Sequence, residues 1–237
     1  MIFTPPLQRG ILLQRYKRFL ADVRLESGEE VVAHCPNPGS MKTCAEPGWI
    51  AWVSPANNPK RKLKWTLEII ESPQAFILVN TARPNAIVAE AIAEDRIHGL
   101  SSTATLRREV RYGSNSRIDI LLEEEHKPDC YVEIKNVSLL HKPQVAAFPD
   151  SVTKRGTKHL KELVDMVKNG HRAVMFFLVS RTDATHMVPA EHIDPVYAET
   201  LRWAAQNGVE IMAYGTDLDA KGVHVSRPIA VDLSPSA

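Results

Sequence analysis

The chain has 237 residues, 44% of them hydrophobic and 24% charged, with a formal net charge of +1. Such a balance belongs to a folded globular protein and excludes a polycation, and no apolar run approaches the ~20 residues that a membrane span needs. Charge is unevenly spread: residues 1–80 hold ten Lys and Arg against seven Asp and Glu, residues 81–237 hold 19 against 21. A nucleic-acid partner would therefore be met by local basic patches rather than by overall charge.

In chain order, the N-terminal ten residues carry no charged-then-apolar leader pattern. Phe19, Ala21, Val23 and Leu25 then alternate with polar residues, the period of a half-buried strand. Val31–Ala33–Cys35, Trp49–Ala51–Val53, Leu63–Trp65–Leu67–Ile69 and Phe76–Val79 repeat the pattern, separated by Gly- and Pro-bearing turns. Five short strands in this length suggest a small closed barrel, OB-like first and SH3-like second.

The pattern changes near Ala82. Asn85 reads as the N-cap of a helix running to about Ile97. Strands Ser116–Glu123 and Cys130–Val137 follow, then a helix from about Lys154 to Asn169 with Leu160, Leu163, Val164 and Val167 as its apolar stripe. The apolar run Ala173–Val179 reads as a buried strand, followed by a helix near Asp194–Asn207 and strand Val209–Tyr214. Strand–helix–strand units at this spacing imply parallel pairing, so the second part is α/β.

The residues most suggestive of chemistry are Asp119 and, fourteen positions on, Glu133-Ile134-Lys135. Glu133 and Lys135 share one face of an extended strand, with Val132 and Ile134 on the other. A hairpin whose turn is centred on His126 sets Asp119 opposite Glu133, with Cβ atoms roughly 5 Å apart. Two carboxylates that close call for a hard divalent cation, most simply Mg²⁺, with Mn²⁺ as an alternative. Lys135 beside them would hold a phosphate or orient an attacking water. The same spacing also fits a solvated charged face. The apolar flanks favour a site, because charges emerging from a buried sheet are costly without partners.

Lys154, Arg155 and Lys158 open the following helix against the usual dipole preference, and with the free N–H groups they suit a phosphate. Glu90 either approaches the metal from behind or is a surface glutamate; Arg117 either binds phosphate or pairs with Glu123–Glu125. In the barrel, Lys60, Arg61, Lys62 and Lys64 lie beside Trp65, Trp49 and Trp52. That combination suits nucleic acid if the tryptophans stack on bases, or is a core with a basic loop if they do not. Three widely spread cysteines, Cys35, Cys44 and Cys130, point to a reducing cytoplasm, and without a CxxC pair they make a poor zinc site.

These residues lie within a longer series of matching blocks: Pro5–Arg9, Gln14–Val23, His34–Asn37 through Gly39, Val79–Thr81, Ser116–Asp119, Glu133–Lys135, and Phe148–Asp150 through Arg155-Gly156 and Lys158–Leu160. On them the chain resembles the sugar fermentation stimulation protein A family from end to end. The resemblance implies an OB-fold domain over residues 1–81 and a PD-(D/E)XK nuclease-like α/β domain over residues 82–237. It also implies DNA binding without strong sequence preference and a role in regulating sugar, particularly maltose, metabolism. Asp119, Glu133 and Lys135 take the nuclease-motif positions, with Glu90 a helper; Ile118 stands where the motif's name has proline. The expectation is a cytoplasmic two-domain protein that binds DNA, single-stranded DNA or RNA, with a Mg²⁺-dependent phosphodiesterase site. A catalytically silent module for another anion or a protein partner is the alternative.

Overall fold

The computed structural model describes residues 1–56, 58, 60–113 and 115–235. The barrel consists of β1 (Gln8–Tyr16), β2 (Leu20–Leu25), β3 (Glu30–His34), β4 (Ile50–Pro55), β5 (Trp65–Glu71) and β6 (Phe76–Leu78). Their order in the sheet is β3-β2-β1-β4-β5-β6, and an added parallel pairing of β3 with β5 closes it. The alternation seen in the sequence points inward: Ala21, Val23, Ala33, Ala51 and Val53 are fully buried in the barrel core. The turn from β1 to β2 is unusual. Lys17 and Arg18 occupy successive left-handed conformations, with φ of 45° and 65°. Each costs on the order of 1 kcal/mol relative to glycine.

The second part begins with α1 (Pro84–Ala93), then β7 (Thr105–Tyr112), β8 (Ser116–Glu123), β9 (Cys130–Val137), β10 (Leu139–Lys142) and β11 (Val145–Phe148). Next come α2 (Lys154–Lys168), β12 (Arg172–Val179), β13 (His186–Pro189), α3 (Pro195–Gln206), β14 (Glu210–Leu218), β15 (Val223–Pro228) and β16 (Ala230–Val231). The main sheet has the order β15-β14-β12-β9-β8-β7; β12 runs parallel to β9 and β14, as the two crossover helices require. A smaller sheet, β10-β11-β13-β16, flanks it.

Strand β12 is the spine. Val174, Phe176 and Leu178 join a core shared with α1 and with Phe3 and Leu7, while Ala173, Met175, Phe177 and Val179 join the core under α2 and α3. Both faces are covered, which explains an apolar run without alternation. Burying each phenylalanine stabilises by about 2–3 kcal/mol.

Helix starts position the site. Pro84 presets the first turn of α1, so Asn85 lies inside the helix and the cap position falls to Arg83, correcting the expected Asn85 cap. The α2 cap is Thr153, whose hydroxyl accepts from the Gly156 amide at 3.0 Å. Asp194 caps α3 by accepting from the Tyr197 amide at 3.0 Å, and its other oxygen accepts from the Thr153 amide at 2.7 Å. One carboxylate thus fixes the starts of both helices.

Candidate active site

The hairpin register expected from the sequence is present: Ile120 pairs with Val132, Leu121 with Tyr131 and Leu122 with Cys130. The ladder ends at Ile120. Beyond it the Asp119 side chain takes over, and its Oδ2 accepts the Ile134 amide at 2.7 Å. Its Oδ1 accepts from Asn85 Nδ2 on α1, also at 2.7 Å. Ile134 faces the core on the α1 side, whereas Glu133 is turned toward α2, where it meets His159.

Glu133 is 2% exposed. Its Oε1 accepts from Lys135 Nζ at 2.6 Å and makes a short contact with His159 Nδ1. His159 Nε2 accepts from Arg155 Nε at 3.2 Å. These contacts together fit an imidazole carrying its proton on Nδ1 and accepting on Nε2. The other Glu133 oxygen, Oε2, is buried and has no hydrogen-bond partner.

Burial opposes ionisation of Glu133, but the His159 hydrogen bond and the Lys135 ammonium outweigh it and hold the carboxyl below its usual range. Asp119 goes the other way. Burial, and then the charge of Glu133, push it from 3.8 up to about 6. Tyr112 and Tyr197, whose hydroxyls are buried without partners, are raised first by burial and then by Glu133. Glu133 Oε2 and the two tyrosine hydroxyls are thus left without donors or acceptors of their own.

Asn85, Asp119, Glu133, Lys135 and His159 line a cleft of about 620 Å³ between the barrel and the α/β part. Arg18, Asn37 and Gly39 contribute from the barrel side, and Asp150 and Arg155 from the other. Asp150 reaches the barrel loop, and its Oδ2 accepts weakly from the Met41 amide at 3.4 Å. A second hollow of about 760 Å³, lined by Arg181, Leu218, His224 and Arg227 among others, contains none of the motif carboxylates. Size alone does not locate chemistry; convergent charged groups do.

Among the described residues no three His, Cys, Asp or Glu side chains converge on a ready cage for a metal. What does fit a cation is a pair of carboxylates, one with an orphaned buried oxygen and the other driven toward protonation by burial and then by its neighbour. Two carboxylates with room for water suit Mg²⁺, which keeps much of its hydration shell and binds through one or two carboxylates plus phosphate.

The structure places the remaining candidates as follows. Glu90 does not join the site: its carboxylate holds the Met1 amino group at 2.7 Å, beside His224, and it lies outside the cleft lining. Asn85, five residues earlier on α1, makes the approach expected of Glu90. Arg117 is exposed and makes no ion pair among the described residues; Glu123 pairs with Arg107 and Glu124 with Lys127. Of the basic start of α2, Arg155 lines the cleft, Lys154 is exposed, and Lys158 donates to Ser116 at 3.1 Å. In the β4–β5 loop Lys60, Lys62 and Lys64 are exposed and Arg61 donates to Thr66 at 3.0 Å. Trp49 and Trp65 pack on the barrel core, and Trp52 packs on the α1-side core while donating to Glu71; all three are half-buried. The three cysteines are free and buried.

Sequence reasoning missed His159, Asn85, Arg18 and Asp150. Only His159 left a local signal, a polar residue within the apolar stripe of α2. The others belong to the cleft through the docking of separate elements.

A closed OB-like barrel joined to a restriction-endonuclease-like sheet, with carboxylates and a lysine on adjacent strands, defines the class. Residues 13–79 match the family model described as the SfsA N-terminal OB domain, and residues 82–222 match the sugar fermentation stimulation protein RE domain. A sugar fermentation stimulation protein homolog of Paramagnetospirillum magneticum is 51% identical over 234 residues, covering 99% of each chain. One from Shewanella loihica is 52% identical over 235 residues, covering 98% of this chain and all of the relative. A solved structure of Pyrococcus furiosus SfsA in complex with Ca²⁺ aligns with a TM-score of 0.87 at 27% identity, over 98% of both chains. The chain belongs to the sugar fermentation stimulation protein family. No helix among the described residues is long and apolar enough to cross a membrane.

Proposed function

We propose that the protein binds DNA in the cleft between barrel and α/β domain and hydrolyses a phosphodiester there with the help of a divalent cation. The observation that carries this reading is the carboxylate pair: the partnerless Glu133 Oε2 beside an Asp119 raised to about 6. Asp119 and Glu133 would hold the ion, Mg²⁺ first and Mn²⁺ second. The Ca²⁺ in the Pyrococcus furiosus relative supports a divalent-cation site. A bound cation would supply Lewis-acid stabilisation of charge growing on the phosphate oxygens.

The chain's own groups do the rest. Lys135, whose side chain is only 15% exposed, uses one Nζ hydrogen on Glu133 and keeps others for a phosphate oxygen or the attacking water. His159 fixes the rotamer of Glu133, and Arg155 fixes the ring of His159. Asn85 and the Ile134 amide hold Asp119. Arg155 and Lys154 at the start of α2 meet the flanking phosphates; Lys158, Arg117 and the Lys60–Lys64 loop extend the basic contact. Binding would be weakly sequence-dependent, because phosphate contacts position a strand without reading bases. A regulatory role in sugar metabolism, maltose in particular, and a cytoplasmic location complete the proposal on family likeness and free thiols.

The test is incubation of the purified protein with end-labelled single- and double-stranded DNA in Mg²⁺, Mn²⁺ or EDTA, beside Asp119→Ala and Lys135→Ala. Metal-dependent cleavage lost in both variants is the expected result. Binding without cleavage under every metal would remove the enzymatic reading and leave a catalytically silent module.

A further inference from the structure

The turn between β1 and β2 brings a cation of the barrel to the acidic site: Arg18 lines the same cleft as Asp119, Glu133 and Lys135. Lys17 and Arg18 both hold left-handed backbone conformations, which lysine and arginine adopt at a cost and glycine does not. Their side chains are exposed, and among the described residues neither makes a hydrogen bond or ion pair. The tight β1–β2 hairpin calls for positive φ at these turn residues, but nothing within it calls for cations there, where glycine or asparagine would serve better.

The neighbourhood gives their setting. Phe19, next along the turn, is 42% exposed, although it is large and apolar. Its ring lies against His34, with centroids 6.5 Å apart, and His34 and Arg61 line one hollow of the barrel surface. From the carboxylates outward the surface runs Arg18, Phe19, His34, Arg61: cations interleaved with ring faces. Cations grip phosphates and rings stack on bases, and stacking requires bases whose faces are free. Glu133 is recessed at 2% exposed, so a phosphate must be drawn into the cleft rather than laid across it.

We propose that the barrel rim from Arg18 through Phe19 to His34 and Arg61 is a track for single-stranded nucleic acid, which it feeds into the cleft. This rests on the nucleic-acid reading above and names the form of the substrate.

The experiment is fluorescence anisotropy with a labelled twenty-residue oligothymidylate and a duplex of equal length, in EDTA so that cleavage does not enter. Full-length wild type is compared with Arg18→Gly and Phe19→Ala, each followed by a thermal melt. The expected result is that Arg18→Gly melts higher than wild type, because the strained position is relieved, yet binds the single strand at least fivefold more weakly. Its log–log salt dependence should fall by about 0.7, one phosphate contact on a single strand. Phe19→Ala should weaken binding about fivefold to tenfold. Equal affinity of wild type and both variants would overturn the track while leaving nucleic-acid binding intact. Weaker binding by Arg18→Gly with a lower melt would return the turn to a structural role, and tighter binding of duplex than single strand would overturn the substrate form. No binding of either oligonucleotide would overturn the nucleic-acid reading itself.

Discussion

The carboxylate of Asp150 occupies the space where a side chain on Gly39 would begin: a Cβ there would stand 2.0 Å from Asp150 Oδ2 and 2.5 Å from its Cγ. The contact joins the barrel loop to the α/β part directly across the cleft. Gly39→Ala should therefore expel the carboxylate from the loop. Because Asp150 holds the loop only through a 3.4 Å bond to the Met41 amide, the cost should be about 1 kcal/mol. The check is urea denaturation of both single variants and the Gly39→Ala/Asp150→Ala double. With Asp150 already alanine, adding the methyl should cost almost nothing; additive losses would mean that the close approach is absent.

Asp119 makes stability depend on pH. Its folded carboxyl takes a proton at about pH 6, against 3.8 ordinarily, so between those values the native state binds more protons than the unfolded one. Stability from this group therefore falls as pH rises from about 4 to 6 and stays lowered above that. Asp119→Asn should raise stability at pH 7.5 by about 1–2 kcal/mol, or several degrees in Tm, with the gain vanishing near pH 4. Thermal melts across that range decide it; a gain independent of pH would contradict the assignment.

His159 is a positioning residue. His159→Ala leaves Glu133 with Lys135 alone, and metal-dependent cleavage should fall about tenfold to a hundredfold. His159→Asn can place an N–H where Nδ1 stood and should recover part of the loss. Calorimetric titration with Ca²⁺ should rank the affinities wild type, Asn, Ala. Equal losses from Asn and Ala would indicate that only packing matters there.

A second polar cluster ties the barrel to α1. Glu68 is 1% exposed and accepts from Ser54, Asn80 and two Arg83 nitrogens, Nε and Nη2, at 2.6 to 3.0 Å. Arg83→Met leaves that carboxylate two neutral donors, and the loss should be about 2 kcal/mol, below the 3–5 of a fully buried pair because Arg83 is 36% exposed. The double variant with Glu68→Gln should be more stable than Arg83→Met alone, as denaturation midpoints would show.

The parts legible in the sequence are those with local periodicity. Strands β8 and β9 announced themselves as charges set into apolar runs, and their register followed from counting about one turn residue. By contrast β7 is an edge strand whose Arg107, Arg108, Glu109 and Arg111 outnumber its apolar residues, so no alternation marks it. The helix carrying Asn85 is legible, but it starts at Pro84 with the cap at Arg83. It is Asn85, not Glu90, that this helix sets over the carboxylates. The contributions of Arg18, Gly39 and Asp150 depend on how two bodies dock, which no spacing along one strand encodes.

The central position of β12 sets when the site can exist. Glu133 lies on β9, whose place in the sheet is fixed by pairing with Arg172–Val179, and His159 comes from the helix between them. Contacts between residues some forty positions apart form late, after the chain separating them has been made. While the polypeptide is still emerging from the ribosome, the barrel strands are complete long before β12 appears. The nascent protein thus has its barrel before β9 gains the neighbour that fixes Glu133 beside His159.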